Sequence, residues 1–423
     1  MNARQPVHTV YGGAHLFRAD SAARLGAAAL ASLDAYAPDH AAFAAAIGIG
    51  PGRSLDLYAR IRRKLREEPV EDYRIDFEDG YGARSAADED RDADRTAREV
   101  AAGARAGTLP PFIGIRIKGV GGETRGRGLR TLERFVSTLV REASPGSPTA
   151  PLPPNFVVTL AKVTAADQVR VLVDAIETLE RALDLAPARL MIEVMVESPR
   201  LIVDPAGRSG LPALVEAAAG RLRGAHFGPY DYTAALGITA EHQSLRHGAC
   251  AFARQAMQAA FAETGVWLAD GPTMLMPVPV HRPRGGGSLT AIEREENTAG
   301  VHRAWRRHYE DARASLIDGF YQGWDLHPAQ LPTRFAAVDA FFLDGLETAG
   351  ARLRHFLDQA ARATLHGGVF DDAATGQGLL NYFLRAAGAG AVTDAEILAA
   401  TGLTTEAMRT RSFADLIGAP ASV

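Results

Sequence analysis

Two acids stand where this chain could hold a hard cation. Glu197 ends the apolar run LMIEVMVE and is followed by Ser-Pro, while Asp231 closes LRGAHFGPYD just after Gly-Pro-Tyr. Runs rich in Ile, Val, Met and Phe that stop at turn-forming residues read as buried parallel strands. Their C-terminal ends are where α/β proteins place chemistry. Two carboxylates at successive strand ends supply oxygen ligands and leave the other positions to water and substrate, as Mg²⁺ prefers. Each acid also has a plainer reading. Glu197 could cap a helix opening at Ser198-Pro199, and Asp231 could sit in an ordinary turn. As a pair on apolar runs, with Glu193 the one further acid on the inward face, they point to a metal.

Other strand-like runs end in groups that would complement such a site. YRIDFEDG, residues 73–80, carries Asp76, Glu78 and Asp79. PPFIGIRIK, residues 110–118, ends in Arg116 and Lys118, two apart and so on one face. FVVTLAKV brings Lys162, VWLADGP brings Asp270, and GFYQGWDLH ends at His327. Acids and bases mixed in one pocket suit carbanion chemistry. A divalent metal chelates a 2-oxo acid through its carboxylate and keto oxygens and polarises the carbonyl. A fixed guanidinium stabilises the charge that develops on the enolate oxygen. A general base then moves a proton on the other fragment. Simpler roles exist for each residue. Arg116 could pair with Glu78 or Asp79, and Lys162 with Glu193 or Glu197. A lysine among carboxylates stays protonated, which disfavours it as a Schiff-base nucleophile. His327, before a proline, could bond at a rim.

The elements that must position these groups alternate strand and helix about eight times over residues 7 to 345. That is the pattern of a (β/α)₈ TIM barrel, with every strand C-terminus facing one mouth. The competing open, doubly wound sheet lacks a Gly-rich dinucleotide fingerprint in its first βα unit. GVGGETRGRG, residues 119–128, lacks the Lys-Ser/Thr of a phosphate loop and reads as a mobile active-site loop. Beyond it lies a Pro-rich loop near residues 143–155. The division expected is a barrel over 1–345 and an appended C-terminal α-helical region over 346–423.

Bulk properties narrow the class. The 423 residues are 47% hydrophobic and 23% charged, as in ordinary globular proteins. A net charge of −4 leaves no basic excess for a nucleic-acid partner. The single cysteine, Cys250, excludes an internal disulfide framework, fits a reducing cytoplasm and reads as a core residue. No run approaches a membrane span, and the N-terminus lacks the pattern of a secretory signal.

Several of these pieces, in order over roughly residues 70 to 335, resemble the phosphoenolpyruvate/pyruvate-binding barrels. That group includes the citrate lyase β-subunit, malyl-CoA lyase and the class II hydroxy-oxo-acid aldolases. The pieces are DFEDGYGARSAADEDRDADR, IRIK, LAKV, VESPRLI, GPYDYTAALG and GFYQGWDLHPAQL. The resemblance implies a Mg²⁺- or Mn²⁺-dependent carbon–carbon lyase acting through a pyruvate- or acyl-CoA-derived enolate. VESPRLI then puts Glu197 on the metal, and GPYDYTAALG puts Asp231 there. IRIK makes Arg116 the enolate-stabilising arginine. DFEDG makes Glu78 and Asp79 the acids that orient water on the metal. Gly228, Pro229 and Lys162 would line the substrate, a small 2-oxo acid, hydroxy acid or acyl-CoA. The family also implies a homo-oligomer. Asp79 stands where the aldolases carry their proposed acid/base histidine. The lyases bring an acid from a neighbouring subunit's C-terminal arm, which would be sought at Asp371 or Asp372. Reactions of the same enolate without carbon–carbon cleavage, namely acyl-CoA thioester hydrolysis or use of phosphoenolpyruvate, are the alternatives, as is metabolite binding without catalysis.

Overall fold

Eight parallel strands close into a barrel in strict sequence order in the computed structural model of the chain. They are β1 His8–Gly13, β2 Asp72–Asp76, β3 Phe112–Ile117, β4 Phe156–Leu160, β5 Met191–Val196, β6 Leu222–Phe227, β7 Trp267–Pro272 and β8 Gln322–Asp325. The described residues are 4–143, 152–283, 287–365, 373–410 and 416. Helices follow the strands on the outside, so the (β/α)₈ barrel expected from the alternation is what forms. None of the described helices is long and apolar enough to cross a membrane.

Strand alternation decides which side chains enter the barrel. Ile75, Ile115, Val158, Leu160, Val194, Val196, Ala225 and Phe227 are fully buried on the outward face, under the helices. Their neighbours point inward, and among them Arg74, Asp76, Arg116, Thr159, Glu193 and His226 are polar and buried. Arg74 reaches across from β2 to Thr159 on β4 at 3.0 Å and to Glu193 on β5 at 2.7 Å. It also pairs with Asp72 on its own strand. Glu193 contacts His226 of β6 at 3.2 Å, and His226 meets the Tyr11 hydroxyl of β1 at 3.1 Å. Burial alone would raise the Glu193 pKa, but Arg74 and His226 beside it hold it below the ordinary glutamate value. The expected partner of Glu193 was Lys162. Arg74 and His226 take that place, because Glu193 lies a full turn of the pleat below the mouth.

The Gly-rich segment after β3 differs from its expected form. Only Gly122–Thr124 forms a short 3₁₀ turn, and Arg125 already opens a helix that runs to Ala143. Arg127 and Arg130 pair with Asp90 on the neighbouring helix Ala86–Ala106, and Gly128 packs so closely on the Lys118 carbonyl that a Cβ would stand 2.5 Å from it. Ion pairs and close packing thus convert glycines that look mobile into a helical turn.

The chain divides into two compact units, His8–Arg334 and Met1–Val7 with Phe335–Val423. The second is helical, with Ala373–Gly388, Asp394–Thr401 and Thr405–Thr410 besides most of Leu331–Leu365. Within it, the Tyr382 ring packs edge-on against Phe342, and a Thr393/Glu396 capping box starts a helix. Asp371 and Asp372 lie outside the described residues, as does most of the Pro-rich loop.

The buried charges inside the barrel carry a stability prediction. Arg74→Met leaves Asp72 and Glu193 without their counter-charge, and breaking such a pair costs about 3–5 kcal/mol. Urea unfolding followed by near-UV circular dichroism should show that loss. A change below about 1 kcal/mol would mean that the network contributes no net stability.

Candidate active site

At the barrel mouth, one carboxylate organises the β2 and β3 ends. Asp76 accepts from Arg116 Nε at 2.7 Å and Nη2 at 2.5 Å, a fork-to-fork pair. The same carboxylate accepts the backbone N–H of Glu78 at 2.9 Å and of Gly80 at 2.7 Å, which shapes the turn carrying Glu78 and Asp79. Arg116 is 1% exposed, with its guanidinium 4.7 Å over the Tyr11 ring and 5.4 Å over Trp324. Its third nitrogen, Nη1, faces Glu78 Oε2 at 3.5 Å. The Trp324 indole N–H on the same floor has no protein partner among the described residues.

Lys162 gathers the acids of the other strand ends. Its Nζ lies 2.5 Å from Asp231, 3.3 Å from Asp79 and 3.9 Å from Glu197. Its backbone has a positive φ of 54°, uncommon for a residue with a Cβ, and its own N–H donates to Glu197 Oε1 at 2.5 Å. Glu197 is 6% exposed. Gly228 lets it stand there, since a Cβ at that position would meet the Glu197 carboxylate at 2.9 Å. Pro229 opens the short helix Pro229–Ala235 that presents Asp231 in its first turn. The structure therefore brings together Glu78, Asp79, Arg116, Lys162, Glu197, Gly228, Pro229 and Asp231.

The electrostatics are those of a site short of positive charge. Asp76 and Glu78 face Arg116, leaving Asp79, Glu197 and Asp231 around the one ammonium of Lys162. Burial, with Asp231 adding to it, pushes the Glu197 pKa up to about 7 against the pull of Lys162. Burial and the neighbouring Asp79 push Glu78 up to about 7 against Arg116 and Lys162. Burial opposes the Lys162 charge, but Glu197, Asp231, Glu78 and Asp79 outweigh it and raise its pKa. The donors are all oxygens, the set that suits Mg²⁺ or Mn²⁺. Glu197 and Asp231 both lie within 4 Å of one cation, though among the described residues no three His, Cys, Asp or Glu side chains are grouped to hold a metal, so a divalent ion would have these two carboxylates as its protein ligands.

Asp270, expected at the mouth, lies elsewhere, and His327 makes a local bond just past the end of β8, the rim role open to it. Asp270 is buried against the outer helices, 2.9 Å from Arg254 and 2.6 Å from Ser315. The register pairs Ala269 with the inward Gln322, so its neighbour Asp270 must point outward. His327 caps the 3₁₀ turn Pro328–Gln330 by accepting from Ala329 N–H at 3.2 Å. Lys118, two past Arg116, turns to Glu89 and the Phe77 carbonyl. Sequence reasoning placed Asp76 in the acidic cluster but gave it no role, and it passed over Tyr11 and Trp324. The register that sets Asp76 beside Arg116 was not available from either strand alone, and nothing in the short runs HTVYGG and QGWD marked Tyr11 or Trp324.

Comparison with known proteins adds a family. Residues 1–416 match the family described as Domain of unknown function (DUF6986). The chain belongs to it. No curated protein matches. Among solved structures, a citrate lyase from Burkholderia xenovorans LB400 aligns over 94% of this chain and 96% of its own, at 16% identity and a TM-score of 0.55. The malate synthase of Haloferax volcanii, in a pyruvate/acetyl-CoA ternary complex, aligns over 80% of this chain and 70% of its own, at 15% identity and a TM-score of 0.50. At these identities the likeness is one of fold alone, a closed barrel of eight parallel strands.

Two predictions follow from the charges. In Lys162→Met no ammonium competes for Glu197 and Asp231, so Mg²⁺ should bind about tenfold more tightly by calorimetry, roughly 1.4 kcal/mol. Weaker binding would show that the lysine supports the metal instead of displacing it. In the unaltered protein, Mg²⁺ affinity should climb as pH rises from about 6 to 8, with proton release, because Glu197 must ionise to bind. The sign for metal-free stability is opposite. A carboxyl whose pKa is raised in the folded state loses stabilisation as pH rises from its ordinary 4.5 through about 7.

Proposed function

We propose that this member of the DUF6986 family is a metal-dependent carbon–carbon lyase of the aldolase type, acting through a pyruvate- or acyl-CoA-derived enolate. The observation that carries the reading is the convergence of Glu197 and Asp231 on one cation, Lys162 Nζ, beside an arginine locked by a bidentate carboxylate. Glu197 and Asp231 would hold Mg²⁺ or Mn²⁺, which when bound supplies Lewis-acid polarisation of the substrate carbonyl.

The chain's own groups supply the rest. Asp76 fixes Arg116 through two of its nitrogens, so its Nη1 donor is preorganised and needs no reorientation as charge develops. A substrate oxygen would take the place that Glu78 holds against Nη1. The Trp324 indole N–H is a second donor on the same floor. Lys162, drawn off Asp231 when the acids take a metal, would hold the substrate carboxylate. Gly228 and Pro229 form the adjoining wall. In the cleavage direction, the bond from the enolate carbon to the carbinol carbon breaks and its electron pair passes to the enolate. The carbinol hydroxyl gives up its proton as it becomes the product carbonyl. Glu78, whose pKa is pushed up to about 7, is the group whose acidity suits that transfer near neutrality. Asp79 and Glu78 also orient water in the mouth.

The test is calorimetric titration of pyruvate and of oxalate, an enolate mimic, into metal-free and Mg²⁺-loaded protein. Metal-dependent oxalate binding should disappear in both Glu197→Ala and Asp231→Ala. Arg116→Lys should keep the metal and lose at least about 100-fold in turnover of a cleaved hydroxy-oxo acid or acyl-CoA. Oxalate binding that ignores metal, or survives both alanine variants, would sink the metal assignment.

A further inference from the structure

The bond between Asp76 and Arg116 leaves one freedom open. A carboxylate that holds Nε and Nη2 fixes the guanidinium along the line of its two oxygens. The plane can still tilt about that line, and a tilt swings Nη1, the remaining donor. A support beneath the plane is needed to stop it. On β3 itself nothing supplies one, because the next inward residue below Arg116 is Gly114, whose strand partner is Arg74.

Two rings from other strands take that place. The guanidinium carbon lies 4.7 Å from the Tyr11 ring centroid on β1 and 5.4 Å from that of Trp324 on β8. The two centroids are themselves 4.4 Å apart, with their planes tilted by 43°. These three distances put both rings on the same side of the guanidinium. They form a seat under it, not a sandwich around it. Both rings are within the roughly 6 Å reach of a cation–π contact, and Arg116 is buried, where such a contact is strongest.

Of the two rings, Tyr11 is the one tied down at its tip. Its hydroxyl meets His226 Nδ1 at 3.1 Å and lies 3.7 Å from the Met195 sulfur. His226 in turn faces Glu193, which Arg74 holds. Burial raises the Tyr11 pKa far above its ordinary value, so the hydroxyl stays protonated and is no proton source near neutrality. The Trp324 indole N–H, by contrast, has no partner among the described residues. A ring fixed at its far end cannot follow a tilting guanidinium, and so it resists the tilt.

We infer that Tyr11 is a positioning residue for Arg116, setting the tilt of the guanidinium and with it the direction of the Nη1 donor. Its effect on a bound anion passes through Arg116 and needs no contact of its own with the substrate. The inference rests on the lyase-type reading above, in which that donor meets the developing enolate charge.

Calorimetric titration of Mg²⁺, and of oxalate into the Mg²⁺-loaded full chain, tests it. In Tyr11→Leu and Tyr11→Met, which lack the ring, oxalate should bind about tenfold more weakly. Mg²⁺ itself should bind both variants as before. Tyr11→Phe keeps the ring and loses only the hydroxyl bond, so it should recover most of the oxalate affinity. In an Arg116→Lys background no guanidinium plane remains to be seated, so removing the ring should change oxalate binding by less than about threefold. Ringless variants that bind oxalate like the unaltered protein would show that Asp76 alone aims Arg116. That result would overturn the assignment and leave the enolate site standing. Equal weakening of Mg²⁺ and oxalate, or loss of the near-UV circular dichroism of the fold in both ringless variants, would make Tyr11 a general structural residue and also overturn it. So would a loss that persists undiminished in Arg116→Lys. If the unaltered protein shows no Mg²⁺-dependent oxalate binding, the lyase reading and this inference fall together.

Discussion

The mouth of this barrel depends on the Asp76 carboxylate. It holds two nitrogens of Arg116 and two backbone N–H groups of the turn that follows β2. One anion therefore sets the position of the enolate-stabilising candidate on β3 and of Glu78 and Asp79 on β2. The space it needs is guarded by glycine. A Cβ at Gly80 would stand 2.6 Å from the carboxylate, and one at Gly13 would meet the Gly80 carbonyl at 2.3 Å. Buried ion pairs contribute little net stability compared with apolar packing, so their value here is positional. A guanidinium held at both ends of its fork presents its remaining donor in one direction only.

Beneath that pair the barrel is filled with charge where many barrels are filled with branched aliphatics. Asp72, Arg74, Glu193 and His226 form a connected tier, with Thr159 and Tyr11 completing their bonds. Such a tier is tolerable only because each member is satisfied, since a half-satisfied network costs more than an apolar core. It also supplies a rigid, polar floor. Tyr11 stands between the tiers, its hydroxyl on His226 below and its ring against the Arg116 guanidinium above. Movement of the floor would therefore be felt by Arg116 directly.

Much of this was legible in the sequence, for reasons of period and punctuation. Strands were legible as short β-prone runs closed by turn-forming residues, continuous and apolar in β4 (FVVTL) but interrupted by polar inward residues in β2 (DYRID) and β8 (QGWD). Glu197 and Asp231 were legible because each interrupts such a run at its end. Asp270 shows the limit of that logic. It also ends an apolar run, but the pairing of Ala269 with Gln322 turns it outward, and a one-residue shift of parity is invisible without the partner strand. Glu78 was an expected partner of Arg116 and does face it at 3.5 Å, but the nearer partner Asp76 and the partners of Glu193 were missed for a related reason. Arg74 and Asp76 lie on a strand far away in the chain, and local pattern does not encode which distant ion fills a shared interior. The glycine-rich segment after β3 read as mobile because its helical ion pairs, Arg127 and Arg130 with Asp90, are contacts between helices.

Lys162 shows how local strain and long-range charge combine at this site. Its left-handed backbone points its N–H at Glu197 while its side chain reaches Asp231 and Asp79. A more relaxed conformation would aim the N–H elsewhere and leave one oxygen of the buried Glu197 without that donor. Strain of this kind persists only where surrounding contacts over-determine it. Here those contacts are carboxylates that would repel one another without a cation between them. Burial first, and a shortage of positive charge among Asp79, Glu197 and Asp231 around one ammonium with Glu78 beside them, push the carboxyls of Glu78 and Glu197 towards neutrality. A divalent ion between Glu197 and Asp231 would relieve that shortage with two charges in place of one. The freed ammonium would then be the nearest cation for an anionic substrate. In such an arrangement the lysine and a metal would exchange places, and the lysine charge would become available to an anionic substrate.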